Sequence, residues 1–207
     1  MKKIKKILAI ILIVLAITLF VAAYFTLKNK TTKKPVSEAK TVDNIKTKEF
    51  DYVLYDNKSE LYKEYFAKLK EELTKEEIDE EAYAKLVSEL FAIDFYSLKD
   101  KKTNTDIGGL DFIYESMKEN FVLKAADTIY KYVESDIYGE RNQTLPMVKE
   151  VDIRTSQKKN ISTKDINDPN GYVVTVTMKY EKDLDYPESA TITLAHKDKK
   201  LYIIEVK

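Results

Sequence analysis

Residues 168–180 read Asp-Pro-Asn-Gly-Tyr-Val-Val-Thr-Val-Thr-Met-Lys-Tyr. Asp168-Pro169-Asn170-Gly171 is a turn signal. Behind it Tyr172, Val174, Val176, Met178 and Tyr180 share one face of a strand, opposite Val173, Thr175 and Thr177. The alternation returns after Pro187 in Ala190, Ile192, Leu194 and His196. It returns again across the charged connection Lys197-Asp198-Lys199-Lys200, in Leu201–Lys207. There Tyr202, Ile204 and Val206 oppose Leu201 and Ile203, so both sides are apolar and the strand is expected to lie centrally or covered. Val151, Ile153 and Thr155 alternate upstream with Asp152 and Arg154. These segments predict an antiparallel meander.

Upstream of Val151 the period is helical. Leu61, Tyr62, Tyr65, Phe66, Leu69 and Leu73 predict a helix near 59–73, capped by Ser59. Thr74 and Glu77 match a capping box and predict a second helix to about Leu98, with Ile78, Ala82, Leu86, Val87, Leu90 and Phe91 as its apolar face. Ser116 and Glu119 repeat the pattern ahead of a third helix near 117–134, presenting Phe121, Ala125, Ile129, Tyr132 and Val133. Gly108-Gly109 is expected to let the backbone turn toward it. Glu49–Tyr55 reads as a short strand. Helices first and antiparallel strands after give an α+β fold, three helices on one face of a curved antiparallel sheet.

The N-terminus is of another kind. Ile7–Leu27 carries no charge, and 21 residues at 1.5 Å rise span roughly 30 Å, the thickness of a hydrocarbon core. Residues 7–27 therefore read as a transmembrane helix contacting membrane lipid. Lys2, Lys3, Lys5 and Lys6 hold the basic tail, 1–6, in the cytoplasm. Cleavage after Ala23 is the rival reading, and either one exports the domain. Residues 28–48 read as a polar linker and 49–207 as an extracytoplasmic domain.

The four N-terminal lysines are part of 35 basic residues matched by 35 acidic ones, so the rest of the chain is acidic by four. That balance argues against nucleic acid as a partner. The absence of cysteine excludes disulfides, thiolate metal sites and cysteine nucleophiles.

His196 is the single histidine. No Cys or second His accompanies it to make a zinc site, and a structural or solvent-facing role at a strand end is expected. Asp165–Gly171 fails as a calcium loop: with Gly171 at position 6, Ile166 and Thr177 fall where acids are needed. Asp183 and Asp185, with Glu181 and Glu188, read as a solvated connection. Glu71, Glu72, Glu76, Glu77, Asp79, Glu80 and Glu81 read as a solvated face. The fifteen tyrosines, among them Tyr83, Tyr96, Tyr114, Tyr130, Tyr138, Tyr172, Tyr180 and Tyr202, read as core and core-edge packing. No catalytic, cofactor-binding or metal-ligating set is assigned, and no cofactor is implied.

The layout of short tail, one span, stalk, helices and terminal sheet resembles the bitopic assembly factors of type IV secretion and conjugation, of the VirB-eight-like and conjugative-transposon kind. The similar segments are Phe91-Ala92-Ile93-Asp94-Phe95-Tyr96, Ser116–Tyr132, and the strands Tyr172–Tyr180, Ala190–His196 and Leu201–Val206. The resemblance implies the cystatin-like fold of nuclear transport factor 2, a scaffold role through protein contacts, and no catalytic residues. The polar, Gly-containing connection before Ser116 and the acidic helix depart from it. The expected function is thus a membrane-anchored interaction module, with other envelope proteins or a second copy as partners. A small-molecule or peptide-binding domain is the alternative, marked by an apolar cavity lined by Tyr and Phe. A hydrolase joining Asp183 or Asp185 to His196 is a third reading and requires near contact.

Overall fold

A computed structural model describes residues 18–22 and 39–207. The chain forms two units, Met1–Ser37 and Glu38–Lys207. In the first, residues 18–22 are helical and expose Leu19, Phe20 and Val21. The rest of the expected span, the tail and the bond after Ala23 lie outside the described residues. Among the described residues no helix is long and apolar enough to cross a membrane.

The second unit is α+β. β1 (Thr41–Lys46) and β2 (Asp51–Tyr55) form an antiparallel hairpin. β1 lies within the stretch read as a polar linker, residues 28–48. Of its two apolar residues Val42 is exposed and Ile45 alone is buried, so two apolar side chains among six were too weak a signal. α1 (Glu60–Leu73) starts where expected, with the Ser59 hydroxyl accepting from the Tyr62 N–H at 3.1 Å.

α2 (Glu80–Tyr96) starts later than the Thr74 pattern predicts. Thr74 closes α1, its hydroxyl donating to the Lys70 carbonyl at 2.9 Å. Asp79 caps α2 instead, accepting from Glu81 and Ala82. Glu72 is buried at the intervening turn, taking the Asp79 N–H at 2.9 Å and Lys75 Nζ at 2.6 Å, so it leaves the solvated face. Every residue from Leu90 to Tyr96 is buried. A helix buried all round lies at the centre of a domain, and α2 is packed between α1 and strands β3, β4 and β5.

Three 3-10 turns, Leu98–Asp100, Leu110–Phe112 and Glu115–Met117, lead to α3 (Lys118–Asp127). This helix is shorter than expected. No side chain caps it, and Ser116 lies in the preceding turn. Tyr130, beyond its end, is buried, whereas Tyr132 is exposed.

The sheet has the order β3-β4-β5-β6, an antiparallel meander of Val148–Ser162, Asn167–Tyr180, Ser189–Lys197 and Lys200–Val206. Tyr172, Val174, Val176 and Met178 face the core as the alternation predicts. Asp168–Gly171 is not the turn, however: it lies within β4, and the chain reverses at Thr163–Ile166. Pairing passes from Lys159–Gly171 to Ile161–Asp168, so β4 carries an extra residue in a bulge. Gly171 serves close approach, since a Cβ there would sit 2.5 Å from Ile161 Cγ1. β6 is terminal in the sheet and not central, though Tyr114 N–H donates to its Ile203 carbonyl at 3.0 Å and Leu201 and Ile203 are buried.

The tyrosines divide. Tyr52 and Tyr83 are buried with their hydroxyls 2.6 Å apart, and Tyr83 accepts the Leu201 N–H. Tyr138 is exposed.

Candidate functional site

An apolar groove of about 650 Å³ opens between α3 and the sheet end formed by β5 and β6. Phe95 and Tyr96, from the last turn of α2, line one side. Phe121, Ala125 and Ile129 come from α3 and its exit, and Ile204 and Val206 from β6. Its volume is in the range of ligand pockets. Phe95 is held by Phe91, Phe121 and Tyr130 at centroid distances of 5.1, 5.3 and 5.4 Å, and stands edge-on to Tyr96 at 4.9 Å. Tyr130 fastens this wall: its hydroxyl donates to the Phe95 carbonyl at 2.6 Å and accepts from Gly108 N–H. Burial pushes the Tyr96 phenol up to about 12, so it stays neutral across the physiological range. Asn120, Lys124, Glu205 and Lys207 supply the polar rim. The walls are a preformed apolar surface with charge at the mouth, suited to an amphiphilic guest.

Two polar clusters lie elsewhere. Asp94, buried on α2, meets Lys101 Nζ and Lys58 Nζ at 2.7 Å each, and accepts from Gly109 N–H at 2.7 Å. Burial alone would raise its pKa. The two ammonium groups win and hold it well below the usual carboxylate range. Gly108 and Gly109 thus dock against the end of α2 and do not merely turn the chain. Gly109 has φ +75°, and a Cβ there would lie 2.5 Å from the Phe91 ring.

His196 lies on β5, 2.8 Å through Nδ1 from Asp168 Oδ2 and 3.1 Å through Nε2 from Glu80 Oε2. Asp168 also takes the His196 backbone N–H at 2.7 Å. Burial works to raise the Asp168 pKa, but donation from His196 and Asn170 keeps it below its ordinary value. Both ring nitrogens are engaged by the chain's own carboxylates, so the imidazole braces α2 against β4 and β5. The structure brings together three residues read separately in the sequence, and it does not bring in Asp183 or Asp185. Those precede Ser189 at the opposite end of β5, seven strand residues or about 23 Å from His196. They are exposed, with Asp185 N–H turned onto Asp183 at 3.3 Å and Glu181 paired to Lys99.

The groove was not assembled from sequence. Phe121, Ala125 and Ile129 were named as one helical face, but the walls that oppose them are some thirty residues before and eighty after. No protein-family model matches this chain, and neither a curated protein nor a solved structure shows significant similarity to it.

Proposed function

We propose that this chain is a non-enzymatic, membrane-anchored interaction module whose extracytoplasmic domain holds an apolar part of another envelope protein in the groove between α3 and β6. The observation that carries the reading is the groove itself: half-buried Phe121, Ile129 and Val206 line it over a floor of buried Phe95 and Tyr96. Exposed apolar surface with a charged rim is typical of recognition sites. The uncharged run 7–27 behind four lysines supports anchoring and export. Exposure of Leu19, Phe20 and Val21 on the described helical turn supports it further. The helices followed by a four-stranded meander support the cystatin-like form of the α+β fold, with the hairpin β1–β2 as an addition. Assembly of a secretion or conjugation machine is the specific process this layout suggests.

Photo-crosslinking in intact cells tests the reading. A photoreactive residue replacing Lys124, at the groove mouth, gives a discrete adduct with one envelope protein. The same residue replacing Thr175, on the sheet face away from the helices, gives none. Equal yields at both positions, or a reporter fused after Lys207 that faces the cytoplasm, would overturn the proposal.

A further inference from the structure

Size and a few polar atoms decide what small guest the groove can hold. At about 650 Å³, and roughly 30 Å³ for each heavy atom, it has room for about twenty such atoms. Its floor is Phe95 and Tyr96, each 4 % exposed, with buried Ala125 beside them. Half-buried Phe121, Ile129 and Val206 stand above it.

Several polar groups along the groove are engaged within the chain. The Thr128 hydroxyl donates to the Lys124 carbonyl at 2.7 Å, and the Pro187 carbonyl accepts from the Tyr180 hydroxyl at 2.6 Å. At the rim Glu205 and Lys207 neutralise each other at 3.0 Å. Tyr96 and Lys124 are different. The Tyr96 hydroxyl makes no hydrogen bond among the described residues, and burial alone raises its phenol. A desolvated hydroxyl is costly unless something pairs with it. Lys124 is exposed and has no carboxylate partner among the described residues. Asn120 lies one turn before it on the same face of α3, and its amide adds donors beside the ammonium. Polypeptide backbone would find little to pair with here, because β6 is interrupted by a register shift opposite Thr193 and Leu194. A hydrocarbon chain needs no such pairing.

We infer that the groove is a binding site for a single-chain carboxylic acid of the oxygenated fatty-acid class. The carboxylate sits on Lys124 and Asn120 at the mouth. The chain lies against Phe121, Ile129 and Val206, and an oxygen along it pairs with the Tyr96 hydroxyl. Such a ligand adds control to the interaction module proposed above, since a filled groove is closed to the partner.

Full-length protein in phosphatidylcholine vesicles is irradiated with hexadecanoic acid carrying a diazirine at the chain end, and the label is mapped by mass spectrometry. The label falls on the segments holding Phe95–Tyr96 and Phe121–Ile129, and excess hexadecanoic acid displaces it. Lys124→Glu lowers this label about tenfold, as the loss of one charge-assisted hydrogen bond does, and Lys124→Arg keeps it. The methyl ester of the probe labels about a tenth as well. Among hydroxylated hexadecanoic acids one position competes about tenfold better than the plain acid, and Tyr96→Phe removes that advantage. Four results overturn the site: no label in the groove, label that excess acid does not displace, equal labelling by acid and ester, or no hydroxylated acid that gains from Tyr96. The cellular adduct that tests the interaction module is measured without added acid. Its persistence after any of these results leaves that reading standing and removes only the ligand, whereas its loss as well removes both.

Discussion

A single carboxylate, Asp94, ties three distant parts of the chain together: Lys58 ahead of α1, Lys101 after the first 3-10 turn, and the Gly109 amide. Removing it leaves buried Lys101 without its counter-ion, so Asp94→Asn should lower stability by about 3–5 kcal/mol in urea unfolding. The folded pKa lies below the unfolded one. Its contribution is therefore complete above the ordinary Asp range and is lost as the pH falls through the folded value. Glu89 behaves oppositely. Burial, only partly offset by Lys68, raises its carboxyl to about 7. The folded state then binds more protons than the unfolded between the ordinary Glu range and pH 7, and stability falls as the pH rises through that window. Glu89→Gln should flatten this slope and stabilise the protein at pH 8 by roughly 1–3 kcal/mol, measured by denaturation at pH 5 and 8. Gly109→Ala should cost about 2 kcal/mol or more, from positive φ and collision with Phe91, seen as a lower melting temperature. None of these roles was legible in the sequence. Asp94 stands in an apolar run, and its partners are 36 and 7 residues away.

Among elements, those with sustained periodicity were read well and their ends were not. α1 and the strands β4, β5 and β6 carry apolar side chains at regular intervals over several turns or pleats, which local chemistry cannot override. The starts of α2 and α3 depend on which of several polar residues takes the end amides. Thr74-x-x-Glu77 matched the motif, but Asp79 takes the first amides of α2, and buried Glu72 fixes the turn between. Asp79→Ala should therefore cost about 1 kcal/mol, several times the effect of Glu77→Ala, in thermal unfolding. Asp168-Pro169-Asn170-Gly171 misled for a related reason. Ile161 and Ile166, packed with Ala195, extend the pairing past it and move the reversal to Thr163–Ile166.

For the whole molecule, the α+β order was legible, because helical and alternating patterns occupy separate halves of the chain. The groove was not, since its walls come from α2, α3, β5 and β6 and meet through tertiary packing such as that of Phe95 on Phe121. The His196 brace spans a similar distance in sequence, linking α2 to β4 and β5. His196→Ala should speed amide hydrogen exchange in the first turn of α2 and around Asp168 more than in the rest of the sheet. The buried phenols of Tyr52, Tyr62 and Tyr130, kept protonated by desolvation, bear on the whole structure in another way. With no tryptophan in the chain, ultraviolet emission comes from tyrosine alone. In alkali these rings stay dark to base until the domain opens. Phenolate absorbance should then rise in a late, cooperative step, giving a dye-free optical record of unfolding.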